Sequence, residues 1–237
     1  MLDVVGSIVA TAIYAAIVGV LVGFAPISRA AKLLALAAAA AWAGIIVAVG
    51  ALGGFAPGTT GPLPAVVMPF VLVLGLLFGG WFLAPSFREA LLAVPLPALV
   101  ALNGARLGGV FFLLLAADGR LSSPFAPIAA WGDMIAAAIA LLLAARMVRA
   151  PERPAWAGLW NGFGALDLVV AVTLGLLSAP GTPFRVFAEG PGTLAMTTLP
   201  WAFVPSMIVP LFLLIHLVIA TRLRETQRMP QAMAMAG

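Results

Sequence analysis

Residues Pro97–Ala117 read PALVALNGARLGGVFFLLLAA, an apolar stretch that carries one asparagine and one arginine near its middle. A transmembrane helix needs about 20 consecutive apolar residues, so this stretch is long enough to cross a bilayer. Placing an arginine near the centre of such a helix costs roughly 2.5–3.5 kcal/mol on insertion scales. Because a partner must offset that cost, Arg106 predicts a polar cluster inside the membrane.

The composition of the whole chain is that of an integral membrane protein. Of its 237 residues, 64% are hydrophobic and only 8% are charged, whereas soluble domains carry about 25% charged residues. The sequence pI of about 11.1 does not predict nucleic-acid binding, because the basic residues are scattered singly between apolar segments. The chain contains no cysteine, which excludes disulfides, thiolate metal sites and iron–sulfur clusters.

Seven apolar stretches have the length of a transmembrane helix. We therefore predict an all-α integral membrane protein, a bundle of seven transmembrane helices within residues 1–221, followed by a short cytoplasmic tail at 222–237. The predicted spans are about 4–25, 33–54, 64–84, 97–117, 127–148, 155–178 and 201–221.

The distribution of lysine and arginine between the connections predicts the orientation of the bundle. With seven spans, nine basic residues fall on one side of the membrane and only two, Arg120 and Arg185, fall on the other. Basic connections stay in the cytoplasm, so we predict an outside N-terminus and a cytoplasmic C-terminus. The expected location is the cytoplasmic (inner) membrane of a bacterium. The nine residues are Arg29, Lys32, Arg88, Arg146, Arg149, Arg153, Arg222, Arg224 and Arg228.

Glycine spacing and proline positions predict how the helices pack. Four glycine pairs have the GxxxG spacing that lets helix backbones approach closely in a membrane: Gly19/Gly23, Gly75/Gly79, Gly104/Gly108 and Gly158/Gly162. We interpret them as packing positions of the bundle. Pro205 and Pro210 lie inside the seventh stretch, where each removes a backbone hydrogen bond, so a kink is expected there.

Two aspartates lie at depths that Arg106 can reach. At about 1.5 Å per residue, Arg106 is about 14 Å above the cytoplasmic end of its span. By the same calculation Asp167 is at about 18 Å and Asp133 at about 21 Å. We predict that Arg106 pairs with Asp167, with Asp133 nearby on the outer side. Asp133 also lies near the start of its helix. An aspartate at that position would be explained by helix capping alone, without a role in the cluster.

A second layer of polar residues is expected below this pair. Asn103 and Asn161 lie about 9 Å from the cytoplasmic ends of their spans, and His216 lies at about 7 Å. Together with Arg106 and the aspartates they would give the bundle a polar interior. The alternative is that these contacts only hold the helices together, as buried ion pairs and amides often do in membranes.

The sequence predicts no catalytic residue, no metal site and no cofactor. Retinal needs a lysine deep in a helix, and the only lysine, Lys32, lies at a membrane edge. Bis-histidine haem needs two histidines, and the chain has one. Intramembrane aspartyl proteases use two aspartates on adjacent helices, one of them in a GxGD motif that neither Asp133 nor Asp167 matches. A nearby Arg106 would also hold a carboxylate ionised, whereas such a pair needs one proton between the two acids.

Three functional hypotheses remain open. The leading one is a small-solute or proton-coupled transporter, in which Arg106 holds an anionic group or pairs with Asp167 while an aspartate carries the coupling charge. The second is a non-transporting membrane component such as a sensor, an assembly factor or a complex subunit. The third is an intramembrane hydrolase or lipid-modifying enzyme. The expected partners are the lipid bilayer and a small molecule or proton, without nucleic acid. The sequence leaves the oligomeric state open.

Overall fold

The computed structural model describes residues 1–59, 61–150 and 156–235, with side chains described up to residue 225. Across these ranges the chain is all-helical and contains no strand. Two of the predictions fall outside them: Arg153 among the cytoplasmic arginines, and the start of the sixth span at residue 155. The side chain of Arg228 and the last two residues of the predicted tail also lie outside.

Nine α-helices make up most of the described chain, and three shorter helical segments interrupt or precede them. The interruptions are a 3₁₀ segment at Asn103–Gly109, a 3₁₀ turn at Leu194–Thr197 and a π-helical segment at Val204–Ile208. The α-helices are α1 (Leu2–Phe24), α2 (Arg29–Ala51), α3 (Val67–Leu83), α4 (Pro85–Leu92), α5 (Leu96–Leu102), α6 (Val110–Ala117), α7 (Phe125–Arg149), α8 (Ala157–Leu177) and α9 (Val209–Met235).

Six helices in the described ranges are long and apolar enough to cross a membrane. They correspond to the predicted spans one, two and four to seven, and the fourth, Leu96–Ala117, consists of α5, the 3₁₀ segment and α6. The third predicted span differs, because α3 is shorter and the chain bends by 97° between α3 and α4. Pro85 at the start of α4 fits that bend, since proline is favoured in a first helical turn. Helix α9 continues without a break through the predicted tail to Met235.

Helices α1 and α2 form a hairpin at the edge of the bundle. Ser28 caps α2 by accepting a hydrogen bond from the Ala31 amide at 3.2 Å, and the Tyr14 hydroxyl donates to the Ala39 carbonyl at 2.9 Å. Only 6% of the apolar window of α2 is buried, whereas 61% is buried for the span Val204–Glu225. The last span is therefore at the centre of the fold, and α2 is at its periphery.

Small residues bring α7 close to its neighbours. It packs on the 3₁₀ segment Asn103–Gly109, on α8 and on both flanking helices α5 and α6. Alanine at spacings of three and four places a smooth stripe on one side of a helix, over which other backbones approach closely. The buried alanines of α7 are Ala126, Ala129, Ala130, Ala136, Ala137, Ala140 and Ala144.

The glycine spacing predicts the packing positions only in part. A Cβ added at Gly104 would come within 2.5 Å of Leu141, and one at Gly108 within 3.3 Å of Ile13, so this pair lies at helix contacts. At both glycines of the other three pairs, Gly19/Gly23, Gly75/Gly79 and Gly158/Gly162, a Cβ would meet no described atom within 4 Å. The interpretation of these three pairs as packing positions is therefore wrong within the part of the chain that the structure describes. Spacing alone does not identify which side of a helix meets another.

The contact between α1 and Trp201 offers a test of the fold. A Cβ at Gly6 would come within 2.5 Å of the Trp201 indole, so Gly6→Leu forces α1 away from the start of the last span. We expect this overpacking to lower the free energy of unfolding by about 1–3 kcal/mol. Gly19→Leu in the same helix has open space and should leave it unchanged or raise it slightly. Thermal unfolding in detergent measures both, and equal melting temperatures for the two variants would contradict the packing.

Candidate functional site

Arg106 lies in the part of its span where the helix is not α-helical. The segment Asn103–Gly109 is wound as a 3₁₀ helix, and three of its seven residues are glycines. Runs of 3₁₀ helix longer than about 3–4 residues are uncommon, and mid-helix stretches often mark functional positions. Glycine disfavours a regular α-helix by about 1 kcal/mol, so the local sequence accommodates the tighter winding. Arg106 is thereby placed in the interior, where its side chain is only 1% exposed.

The guanidinium of Arg106 binds two carboxylates from two helices. Its Nε donates to Asp133 Oδ1 on α7 at 2.7 Å, and its Nη2 donates to Asp167 Oδ2 on α8 at 2.5 Å. Its Nη1 donates to the Gly164 carbonyl of α8 at 3.0 Å. The Phe212 ring lies 6.0 Å from the guanidinium carbon, within cation–π range. These contacts offset the cost of burying the arginine.

His216 and Asn161 extend the cluster to α9. His216 Nε2 lies 3.2 Å from Arg106 Nη1, and His216 Nδ1 lies 2.9 Å from Asn161 Oδ1. Because the guanidinium nitrogen can only donate, Nε2 must accept and Nδ1 carries the hydrogen. Asn161 Nδ2 donates to the His216 backbone carbonyl at 3.1 Å. The network therefore assigns His216 the neutral, Nδ1-protonated form.

Three glycines make room for these side chains. A Cβ at Gly132 would overlap the Asp167 carboxylate, one at Gly109 would come within 2.7 Å of Asp133 Cβ, and one at Gly164 within 2.6 Å of the His216 ring. Each glycine thus lets a polar side chain of the neighbouring element lie directly against a backbone. At such a close approach, any residue with a Cβ would displace the neighbouring side chain, so the position requires glycine.

Asn103 does not join the cluster. Its Nδ2 donates to the Leu99 carbonyl one turn earlier at 3.1 Å, and its fully buried Oδ1 has no hydrogen-bond partner among the described residues. The Ser206 hydroxyl of the π-helical segment is also buried without a described partner. The expected lower layer of three residues is therefore not present as a unit, because His216 and Asn161 belong to the Arg106 cluster itself.

Two cavities meet at Asp133. A small one of about 60 Å³ is bordered by α1, the 3₁₀ segment and the last span, and Arg106 and Asp133 line it. A larger one of about 300 Å³, the α3–α8 cleft, is bordered by α3, α8 and the segment Thr193–Thr197, with Asp133 as its ionisable residue. The Asp133 side chain is 15% exposed, compared with 7% for Asp167 and 1% for Arg106. Asp133 is therefore the charged group of the cluster that is most accessible.

The charges of the cluster do not balance. Two carboxylates face one guanidinium, and the hydrogen-bond network makes His216 neutral, so the fully ionised cluster carries one excess negative charge. An excess charge in an apolar interior is costly, and one bound proton or cation removes it. The described residues contain no group of three or more side chains placed to hold a metal ion. The chemistry open to this arrangement is the reversible binding of one positive charge.

The structure brings together five of the six residues singled out from the sequence: Arg106, Asp133, Asp167, Asn161 and His216. It adds the Gly164 carbonyl and the close approaches at Gly109, Gly132 and Gly164, which the sequence analysis did not identify. The sequence does hold a signal for two of these glycines, because they lie close to the aspartates: Gly132 directly precedes Asp133, and Gly164 precedes Asp167 by three residues. A binding or coupling role for these side chains stays a prediction.

The described chain is all-helical, and its six long apolar helices indicate a membrane protein. The chain belongs to the family described as a domain of unknown function (DUF8737), whose model matches residues 62–224. The match covers every residue of the Arg106 cluster and begins after α1 and α2. No curated protein and no solved structure matches the chain.

Gly132 provides a test of the cluster that leaves all its charged residues in place. In Gly132→Ala the new methyl group overlaps the Asp167 carboxylate, which must move away from Arg106. We expect a loss of about 1–3 kcal/mol in the free energy of unfolding, measured with denaturant in detergent micelles. Gly162→Ala is the matched control, because a Cβ there meets nothing within 4 Å. Helix propensity alone should make the control up to about 1 kcal/mol more stable, and a Gly132→Ala variant that matches it would contradict the geometry.

Proposed function

We propose that this protein is a proton-coupled transporter of a small solute, and that Asp133 carries the coupling proton. The observation that supports this most directly is the excess carboxylate of the Arg106 cluster, which borders both cavities. Ionisable residues inside membranes are costly and are typical of proton relays and ion pathways. Substrate and coupling sites of transporters commonly lie near the middle of the membrane, at interrupted helices such as the span that contains Arg106.

We propose further that α3 is a seventh span and that the N-terminus lies outside. Arg120 donates to Asp3 at 2.8 Å, and the Trp201 indole donates to the same carboxylate at 2.7 Å. These contacts put residues 3, 120 and 201 on one face, as seven spans require. On the other face, the Arg222 guanidinium donates to the carbonyls of Leu92, at the end of α4, and Val94. Positive charge at this second face agrees with a cytoplasmic location.

The cavities favour a form of the protein that is open toward the proposed outer side. The small cavity reaches Gly6 and Trp201, and the α3–α8 cleft reaches Thr193 and Thr197, all of which belong to the proposed outer half. On the cytoplasmic side of the cluster, Leu99, Leu143, Ile215 and Ile219 are almost completely buried. A proton reaching Asp133 from outside would need a rearrangement of this core to leave inward, which is the requirement of alternating access.

A second candidate function is a non-transporting membrane component in which the cluster only holds helices together. The closure of the Arg106 site favours this reading, because the guanidinium contacts α7, α8 and α9 and is almost completely enclosed. The two candidates differ in what happens when Asp133 loses its charge but keeps its hydrogen bond. A holding role predicts no loss of function in Asp133→Asn, since the amide oxygen still accepts from Arg106 Nε.

The seven-span topology is tested by cysteine labelling, for which the absence of native cysteine is convenient. Single variants Thr59→Cys, Glu89→Cys and Asp118→Cys place a thiol in three successive connections. We expect a membrane-impermeant maleimide applied outside intact cells to label residues 59 and 118, and to label residue 89 only after the membrane is opened. Labelling of residues 59 and 89 from the same side would mean that α3 does not cross.

Proton movement is tested in vesicles that contain the purified protein and a trapped pH-sensitive dye. An inside-negative potential is imposed, first alone and then with a low-molecular-mass cell extract added outside as the source of solute. We expect protons to enter faster than into empty vesicles, and about tenfold more slowly in Asp133→Asn than in the wild type, because the proton carrier is lost.

Asp118→Asn is the matched control for this experiment, since it makes the same change at an exposed aspartate outside the cluster. It should move protons like the wild type. Wild-type vesicles that acidify no faster than empty ones, with and without the extract, would contradict the proposal. Equal rates in the wild type and in a folded Asp133→Asn variant would favour the holding role.

A further inference from the structure

The α3–α8 cleft has the composition of a site for an apolar molecule with one polar point. Its volume of about 300 Å³ lies at the lower end of the range for small-molecule pockets. Apart from Asp133, its polar side chains are Thr193 and Thr197. Both hydroxyls already donate to backbone carbonyls, of Gly175 and Leu194, at 2.9 and 2.8 Å. The two hydroxyls can therefore only accept from a ligand, and the carboxylate of Asp133 is the charged group of the described lining.

Asp133 keeps one carboxylate oxygen that accepts no hydrogen bond from the described residues. Its Oδ1 accepts from Arg106, whereas the described residues donate no hydrogen bond to its Oδ2. Arg106 lines the small cavity but not the cleft, so a molecule in the cleft meets the carboxylate before the guanidinium. The groups that face Asp133 from the neighbouring elements are Arg106 itself and, across the guanidinium, Asp167 and the neutral His216. The charges of Arg106, Asp133 and Asp167 add up to one negative charge, so the electrostatic potential in the cleft is negative.

Aromatic rings line the same cleft. Phe70, Phe112 and Phe125 border it, and the last two pack against each other at a centroid distance of 5.6 Å. The faces of aromatic rings attract cations, and such rings beside a negative charge are the usual means of recognising quaternary ammonium groups. Val71, which also lines the cleft, is 57% exposed, so part of the cleft wall reaches the surface of α3 that would face the lipid.

From these observations we infer that the α3–α8 cleft binds a lipophilic monovalent cation, with its positive group at the Asp133 carboxylate and its apolar part among the phenylalanines. The cation and the coupling proton neutralise the same carboxylate, so binding of one excludes the other. The exchange of cation for proton during transport rests on the proposed function. Binding of the cation does not depend on transport and is measured without it. The cation enters from the bilayer, where a lipophilic ion concentrates.

Three molecules of nearly the same shape test the charge preference: benzyltrimethylammonium, its neutral carbon isostere neopentylbenzene, and phenylmethanesulfonate. Saturable binding of labelled benzyltrimethylammonium to the full-length protein in lipid nanodiscs is measured, and the other two are added as competitors. We expect the neutral isostere to compete at least about tenfold less well, and the anion not to compete. Binding of the cation should weaken as the pH falls from about 8 to about 5, because a proton on Asp133 removes the charge it needs.

Two variants separate the carboxylate from the cleft. Asp133→Asn keeps the acceptor for Arg106 but removes the excess charge, and should weaken cation binding by at least about tenfold. Ala171→Trp fills the cleft without changing any residue of the cluster and should abolish binding. Val169→Trp places the same ring on an exposed face of the same helix and should bind like the wild type.

Three results would overturn the inference. One is the absence of saturable cation binding up to about 10 mM. Another is competition by neopentylbenzene as strong as by the cation itself, which would indicate a site for lipid chains. The third is unchanged affinity in a folded Asp133→Asn protein. If the cation binds as expected but vesicles move no protons, only the transport proposal fails; if protons move and no cation binds, only this inference fails.

Discussion

The structure depends on one electrostatic constraint: a single guanidinium inside an apolar bundle has to hold two carboxylates. Arg106 could not be buried alone, and either aspartate alone would have balanced it. With both aspartates present, the fully ionised cluster has one excess negative charge. Residues of α7, α8 and α9 all contact the arginine. The glycines at the close approaches, the neutral tautomer of His216 and the break in the helix around residue 106 all serve that arrangement.

Interruptions of regular helix occur where the cluster and its cavities are. The 3₁₀ segment Asn103–Gly109 carries Arg106, and the π-helical segment Val204–Ile208 borders both cavities that meet at Asp133. The prolines of the last span explain part of the second interruption, since Pro205 lies within it and Pro210 is the second residue of the helix that follows. Neither interruption occurs in the peripheral helices α1 and α2, whose charged residues, Asp3, Arg29 and Lys32, all lie in the first turns.

The sequence predicts the helical class, six of the spans and the Arg106–Asp167 pair, because apolar length and the cost of buried charge act locally. It does not predict how each helix is rotated. Gly19 and Gly104 have the same spacing to a second glycine, yet only Gly104 meets a neighbour. Asn103 is also at the right depth for the cluster and bonds its own helix instead. Depth follows from counting residues, whereas rotation depends on the packing of all the helices together.

Because glycine has no side chain, position 132 is coupled to position 167, which lies 35 residues further along the sequence. Because the Asp167 carboxylate occupies the space of a Cβ at residue 132, the residues at these positions cannot vary independently. Among members of the family, a residue larger than glycine at the position of Gly132 should occur only with a residue smaller than aspartate at the position of Asp167. Covariation between these two columns would therefore record the presence or loss of the second carboxylate across the family, without any structure of the other members.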